Sequence, residues 1–197
     1  MRRILPYLGL LMIAAAPTKP PPAGPDHPLL TPSREVSVLY RLAAQGRPEA
    51  EIRISSRPAS ATSGSLRRID LPDQSYLLVN RSTHALVMVV PTEGTLLDVP
   101  WDTSLAEQFT LNGTMRFTRR GSATVAHISC TVYDVQQGSQ QGRVCVNDDG
   151  VILRIEGVFI NGQHTVIEAQ SLTYTPAPDS DYLPPPDFQR VSSGAAG

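Results

Sequence analysis

The chain is predicted to be mainly β, a curved antiparallel sheet or incomplete β-barrel carrying one or two short helices. Short apolar stretches recur between Arg34 and Tyr174, several with in–out alternation, and turn residues separate them at close spacing. Dipeptides that favour tight turns punctuate the second half, at Asn112-Gly113, Asp149-Gly150 and Asn161-Gly162. Prolines number 18 in 197 residues, but they gather towards the two ends and leave the middle free to form sheet. Charged residues make up only 18%, which suits a β-rich exported chain better than a charged helical one.

From the N-terminus, Arg2 and Arg3 precede an apolar run from Ile4 to Ala16, the form of a signal peptide over residues 1–16. That run is shorter than the ~20 apolar residues a membrane span requires. Residues 17–33, "PTKPPPAGPDHPLLTPS", read as a proline-rich linker. A single half-barrel domain is expected over 34–191 and a disordered tail over 192–197.

Within the domain, "REVSVLYRLA" sets Val36, Val38 and Tyr40 on one face, and "AEIRISS" repeats the pattern with Ile52 and Ile54. "SLRRIDLP", "QSYLLVNR", "HALVMVVP" and "GTLLDVP" continue as strands of a meander. In "WDTSLAEQFTL", Ser104 and Glu107 have capping-box spacing, and Leu105 and Phe109 supply a short apolar stripe. A short helix packed on the sheet is expected there. A two-residue turn at Asn161-Gly162 would place Phe159 opposite His164 and Glu156 opposite Ile167. In that register Glu156 and Glu168 fall on opposite faces, which removes them as a paired-carboxylate site.

Cys130 and Cys145 are the only cysteines. A metal site would need two further ligands nearby, and a redox pair an exposed thiol near a helix start. Both residues lie instead in strand-like sequence, on either side of a polar turn around Gln136 to Gly142. A cross-strand disulfide with Cys130 opposite Cys145 is the expectation, and it requires an oxidising compartment.

Chemistry is hard to find elsewhere. His27, His84, His127 and His164 are scattered, so no metal or cofactor is expected. Asp98 and Asp102 flank Trp101 and read as turn and cap residues. The doublets Arg67-Arg68 and Arg119-Arg120 read as charges on solvated edge strands. No nucleophile elbow, phosphate loop or dinucleotide fingerprint occurs, and the chain is not expected to be an enzyme. A net charge of −1 gives no footprint for nucleic acid.

The run "RFTRRGSATVAHISCTVYDV", the strand "DGVILR", and the closing segment with Pro184, Pro185, Pro186 and Phe188 together resemble a group of exported bacterial proteins. These are the uncharacterised family called domain of unknown function 4412 and the wider LolA-like set. The resemblance implies an incomplete antiparallel barrel whose concave apolar face is covered by helices, and a periplasmic or secreted location. LolA-like proteins carry lipoprotein acyl chains in that cavity, so a lipid or acyl chain is one expected partner.

Two functional expectations follow. The first is a module that binds a lipid or other apolar ligand on its concave sheet face, with Val38, Tyr40, Leu78, Met88, Trp101 and Phe109 as lining candidates. The alternative is a structural or interaction protein whose cavity is filled by its own side chains and whose partner is another envelope protein.

Overall fold

The alternating stretches become strands of one sheet. The computed structural model describes residues 27–60, 64–101, 110–138, 140–158 and 164–191. The first six strands are β1 (Val36–Ala44), β2 (Ala50–Arg57), β3 (Leu66–Asp70), β4 (Tyr76–Asn80), β5 (Ala85–Val90) and β6 (Thr95–Asp98). The other six are β7 (Arg116–Val125), β8 (Ile128–Gln137), β9 (Gln140–Val146), β10 (Ile152–Val158), β11 (His164–Thr173) and β12 (Gln189–Val191). Their spatial order is β12-β6-β5-β4-β3-β2-β1-β11-β10-β9-β8-β7. Each neighbouring pair is antiparallel except β12, which runs parallel to β6. The sheet does not close, because β7 and β12 remain at its two edges. The alternation predicts an antiparallel sheet, and its failure to close agrees with the incomplete barrel that the resemblance implies.

Two meanders, β2–β6 and β7–β11, meet through β1. That strand pairs with β2 on one side and with β11 on the other. One face gathers the main core: Val36, Val38 and Tyr40 of β1, Ile52 and Ile54 of β2, Ile69 of β3, with Val144, Ile155 and Ile167 from the second meander. Strand β4 lacks alternation because it is covered on both sides. Leu77 and Val79 join the main core, whereas Tyr76 and Leu78 form a second cluster with Val87, Val89 and Leu96 on the other face, packed by Phe188. The segment after β11 runs over this outer face, and its single turn of 3-10 helix (Asp179–Tyr182) buries Tyr182. No α-helix occurs among the described residues. The helix expected around Ser104 to Phe109, the Asn161-Gly162 turn, residues 1–16 and the tail over 192–197 lie outside them.

Three local expectations need correction. In the β10–β11 hairpin, Val158 pairs with His164 and Glu156 with Val166, not with Ile167. Five residues therefore separate the last pair, and a loop of odd length shifts the register by one from that of a two-residue turn. The slip brings Glu156 and Glu168 onto the same face. The β8–β9 turn is shorter than expected, since pairing runs to Gln137 opposite Gln140. Lastly, Arg67 and Arg68 do not sit on an edge: β3 lies between β2 and β4. Arg67 is buried on the core face beside Thr110, and Arg68 lies over the Tyr76 ring at 3.8 Å on the other.

The disulfide is present, with Cys130 and Cys145 joined at a Cα separation of 5.5 Å. It bridges the β8–β9 pair diagonally, because Cys145 stands opposite Val132 and not opposite Cys130. Both cysteines are buried. The adjoining β7–β8 hairpin turns through Ala126 and His127, with Val125 paired to Ile128. Both turn residues have positive φ, at 48° and 63°, as a two-residue primed turn demands even without glycine or asparagine.

Candidate functional site

The concave face is the natural place to look for an apolar ligand, so its lining decides the question. Val38 and Tyr40 are buried in it, and Met88 and Trp101 pack against the same core in partly buried positions. Trp101 meets His84 edge-on, with ring centres 5.2 Å apart. Leu78 does not belong with them, since it points to the second cluster on the opposite face. Phe109 lies outside the described residues. The face thus brings together four of the six candidate side chains.

Little room is left beside Val38 and Tyr40. The space bounded by Val36, Val38, Tyr40, Ile54, Arg67 and Ile155 amounts to about 30 Å³. Leu30 and Pro32, from the end of the proline-rich stretch, close it. The Tyr40 hydroxyl donates to the Ile152 carbonyl at 2.6 Å, tying β1 to the start of β10. Burial pushes the Tyr40 phenol far above its ordinary value, with only partial relief from the nearby Arg67 charge. This tyrosine is a neutral packing strut. A neighbouring apolar space of about 90 Å³ lies between Leu111, Met115, Val135, Val144 and Ile155.

Polar clusters hold the two chain ends onto this core. At the front, Asp149 receives hydrogen bonds from the Tyr174 hydroxyl at 2.6 Å and from Arg34 at 2.8 Å. Those two donors hold its carboxyl below the usual range. The Ser33 N–H also donates to the Asp149 carbonyl at 2.8 Å, so the segment before β1 is fixed to the β9–β10 turn. At the back, Glu35 accepts from the Ala177 N–H at 2.8 Å, from Arg57 at 3.1 Å and from the Tyr182 hydroxyl at 3.2 Å. Burial alone would raise the Glu35 carboxyl, but these donors outweigh it and hold the group below its ordinary value. Arg57 completes the hub by donating to Asp179 at 2.6 Å and to the Ala177 carbonyl at 2.6 Å.

The Glu35 hub predicts an acid-dependent contribution to stability. A carboxyl with a depressed folded pKa adds stability that is present above its unfolded value, near 4.5, and is lost as pH falls through the folded value. Glu35→Gln is expected to cost about 2 kcal/mol at neutral pH through weakened charged hydrogen bonds. It should also flatten the acid limb of the stability profile below pH 4.5, which urea melts at several pH values would show. A parallel acid limb in parent and variant would remove Glu35 from this role.

The other face of the second meander, where spaces of about 640 and 440 Å³ lie across β7 to β11, carries a ladder of alternating charge. Arg120 and Arg143 flank Asp134 at 2.6 and 3.1 Å, and Arg154 joins Glu156 at 3.1 Å to Glu168 at 3.0 Å. Glu156 and Glu168 are thus neighbours, joined through a cation. Cross-neutralised and half-exposed, they do not form a free acid and base pair. Asp98 likewise pairs with Arg190, clasping β12 beside β6. Among the described residues no cluster of histidine, cysteine, aspartate and glutamate could hold a metal ion. No helix among them is long and apolar enough to cross a membrane.

No protein-family model matches the chain, and no curated protein is similar to it in sequence. The named family of domain of unknown function 4412 therefore has no support, and the likeness is one of fold. The solved structure of MucB superposes with a TM-score of 0.55 at 13% identity, covering 81% of this chain and 60% of that one. Similar overlap is seen with the MucA/MucB complex of Pseudomonas aeruginosa, at a TM-score of 0.53 and 13% identity over 80% and 58% of the two chains. The chain spans little more than half the length of these structures. A LolA superfamily protein from Nitrosomonas europaea is a weaker match, with a TM-score of 0.38 and 13% identity over 77% of this chain and 91% of that one, and adds nothing to the fold assignment.

Proposed function

We propose that this chain is a non-catalytic protein-interaction module of the bacterial envelope, not a lipid carrier. The observation that carries the reading is the filled apolar face of the sheet: about 30 Å³ remains beside Val38 and Tyr40, whereas the spaces of about 640 and 440 Å³ lie on the charged face, against Asp134, Arg143, Arg154 and Glu156. Sites for drug-sized ligands enclose roughly 300–1,000 Å³, and an acyl chain needs comparable room. The chain's own Leu30 and Pro32 help to line the space beside Val38 and Tyr40, leaving still less of it for a guest. A periplasmic or secreted location agrees with the buried disulfide and with the apolar leader expected over residues 1–16. The fold it shares with MucB, solved in complex with MucA, supports a protein partner over an acyl cargo.

Gentle purification from the native envelope, followed by native mass spectrometry and lipid extraction, tests this reading. A protein partner in stoichiometric amount, without lipid, is the expected result. Reproducible recovery of one apolar ligand per chain overturns it.

A further inference from the structure

We propose that the edge of β7, unpaired among the described residues, receives an extended, acidic segment of the partner protein, which adds to the sheet as another strand. The inference rests on the protein-interaction reading above and assigns it a surface. An edge strand turns the N–H and C=O of alternate residues outward, unpaired, and so offers a template to any extended chain of the right character. The two edges differ sharply. Strand β12 is three residues long, and its Arg190 is engaged by Asp98 at 2.7 Å. Strand β7 is ten residues long, contains no proline and is exposed along almost all of its length.

Charge selects the partner. Arg116, opposite Gln136, lies on the face that carries Asp134, and Arg119, opposite Tyr133, lies on the other face. Both are exposed, and neither has a carboxylate within ion-pair distance among the described residues, whereas Arg120 is engaged by Asp134 at 2.6 Å. An incoming strand therefore meets an unsatisfied cation on each of its two faces. Acidic side chains at successive positions would answer both. The same charges disfavour a second copy of this chain, since β7 against β7 brings the unpaired Arg116 and Arg119 of two copies together.

The test uses the full chain and three synthetic octapeptides read by fluorescence anisotropy. These are a Glu-Glu-Thr-Thr repeat, which places glutamates on both faces of a strand, the matching Lys-Lys-Thr-Thr repeat, and the Glu-Glu-Thr-Thr peptide N-methylated at every residue. The acidic peptide should bind, more weakly as salt rises, and the basic one should not. N-methylation should abolish binding, because it removes the donors that a sheet edge requires. Arg116→Glu/Arg119→Glu should weaken the acidic peptide by about tenfold or more, while circular dichroism confirms that the exposed substitutions leave the fold intact. Equal binding of acidic and basic peptides, full binding of the N-methylated peptide, or an unaffected double variant would each overturn the proposal. An envelope partner that stays bound to the double variant overturns the edge site and leaves the interaction reading standing. A lipid cargo overturns that reading instead.

Discussion

Replacing Gly150 by alanine is expected to lower stability by about 3 kcal/mol and to release the segment before β1 from the core. Two effects add at this position. The backbone sits at φ 78°, where any side chain is strained, and a Cβ would stand 2.5 Å from the Thr31 carbonyl oxygen and 2.8 Å from Leu29 Cβ. Backbone atoms cannot swing aside as a flexible side chain can, so the 28–33 segment must move. It would take with it the bond from the Ser33 N–H to Asp149 and the closure of the concave face by Leu30 and Pro32. Gly46 supplies the control, since its φ is 77° and a Cβ there meets nothing within 4 Å. Gly46→Ala should cost only the backbone strain, about 1 kcal/mol. Urea melts would separate the two, and limited proteolysis of the Gly150→Ala variant should open a new site near Leu30. Equal losses in both variants would show that the segment contributes nothing.

The second large effect concerns the disulfide. Removing it with Cys130→Ala/Cys145→Ala is expected to cost about 3 kcal/mol for a closed loop of this size. Cysteine-to-alanine changes keep the buried positions apolar, so the loss reports mainly the freed chain. In the parent, alkylation of the unfolded protein without reductant should label neither thiol. A loss below about 0.5 kcal/mol, or two labelled thiols in the exported protein, would contradict the role given to the bond.

The strands were legible where one face is buried and the other wet. Val36, Val38 and Tyr40 show this, because a period of two is what such a strand imposes. At β4 the alternation vanishes into "YLLV", since the C-terminal segment covers the outer face and makes every position apolar. The side on which Leu78 lies was therefore unreadable. Register failed at β10–β11 because a persuasive Asn-Gly signal suggested a two-residue loop, whereas the pairing demands an odd one. The Ala126-His127 turn had the opposite fault: it adopts the strained geometry without either residue that usually betrays it. Arg67 could have been placed, because it is in phase with the buried Ile69 and not with the exposed side of the strand. The filling of the concave face by Leu30 and Pro32 had no local signal, as nothing in a proline-rich stretch says where it docks.

The sheet's centre has a consequence for how the chain reaches its fold. Most pairings join strands adjacent in sequence, so each meander can assemble from short-range hairpins. The seam between them cannot: Ser37 must find Thr173 and Ala44 must find Thr165, closing a loop that holds well over half of the chain. That seam is the entropically slow event, and until it forms both β1 and β11 present bare edges. The oxidised Cys130–Cys145 link lies wholly inside the later meander, so it can hold one half together while the search for the other is under way. A newly exported chain would therefore be most vulnerable to aggregation before its middle closes, not before its ends do.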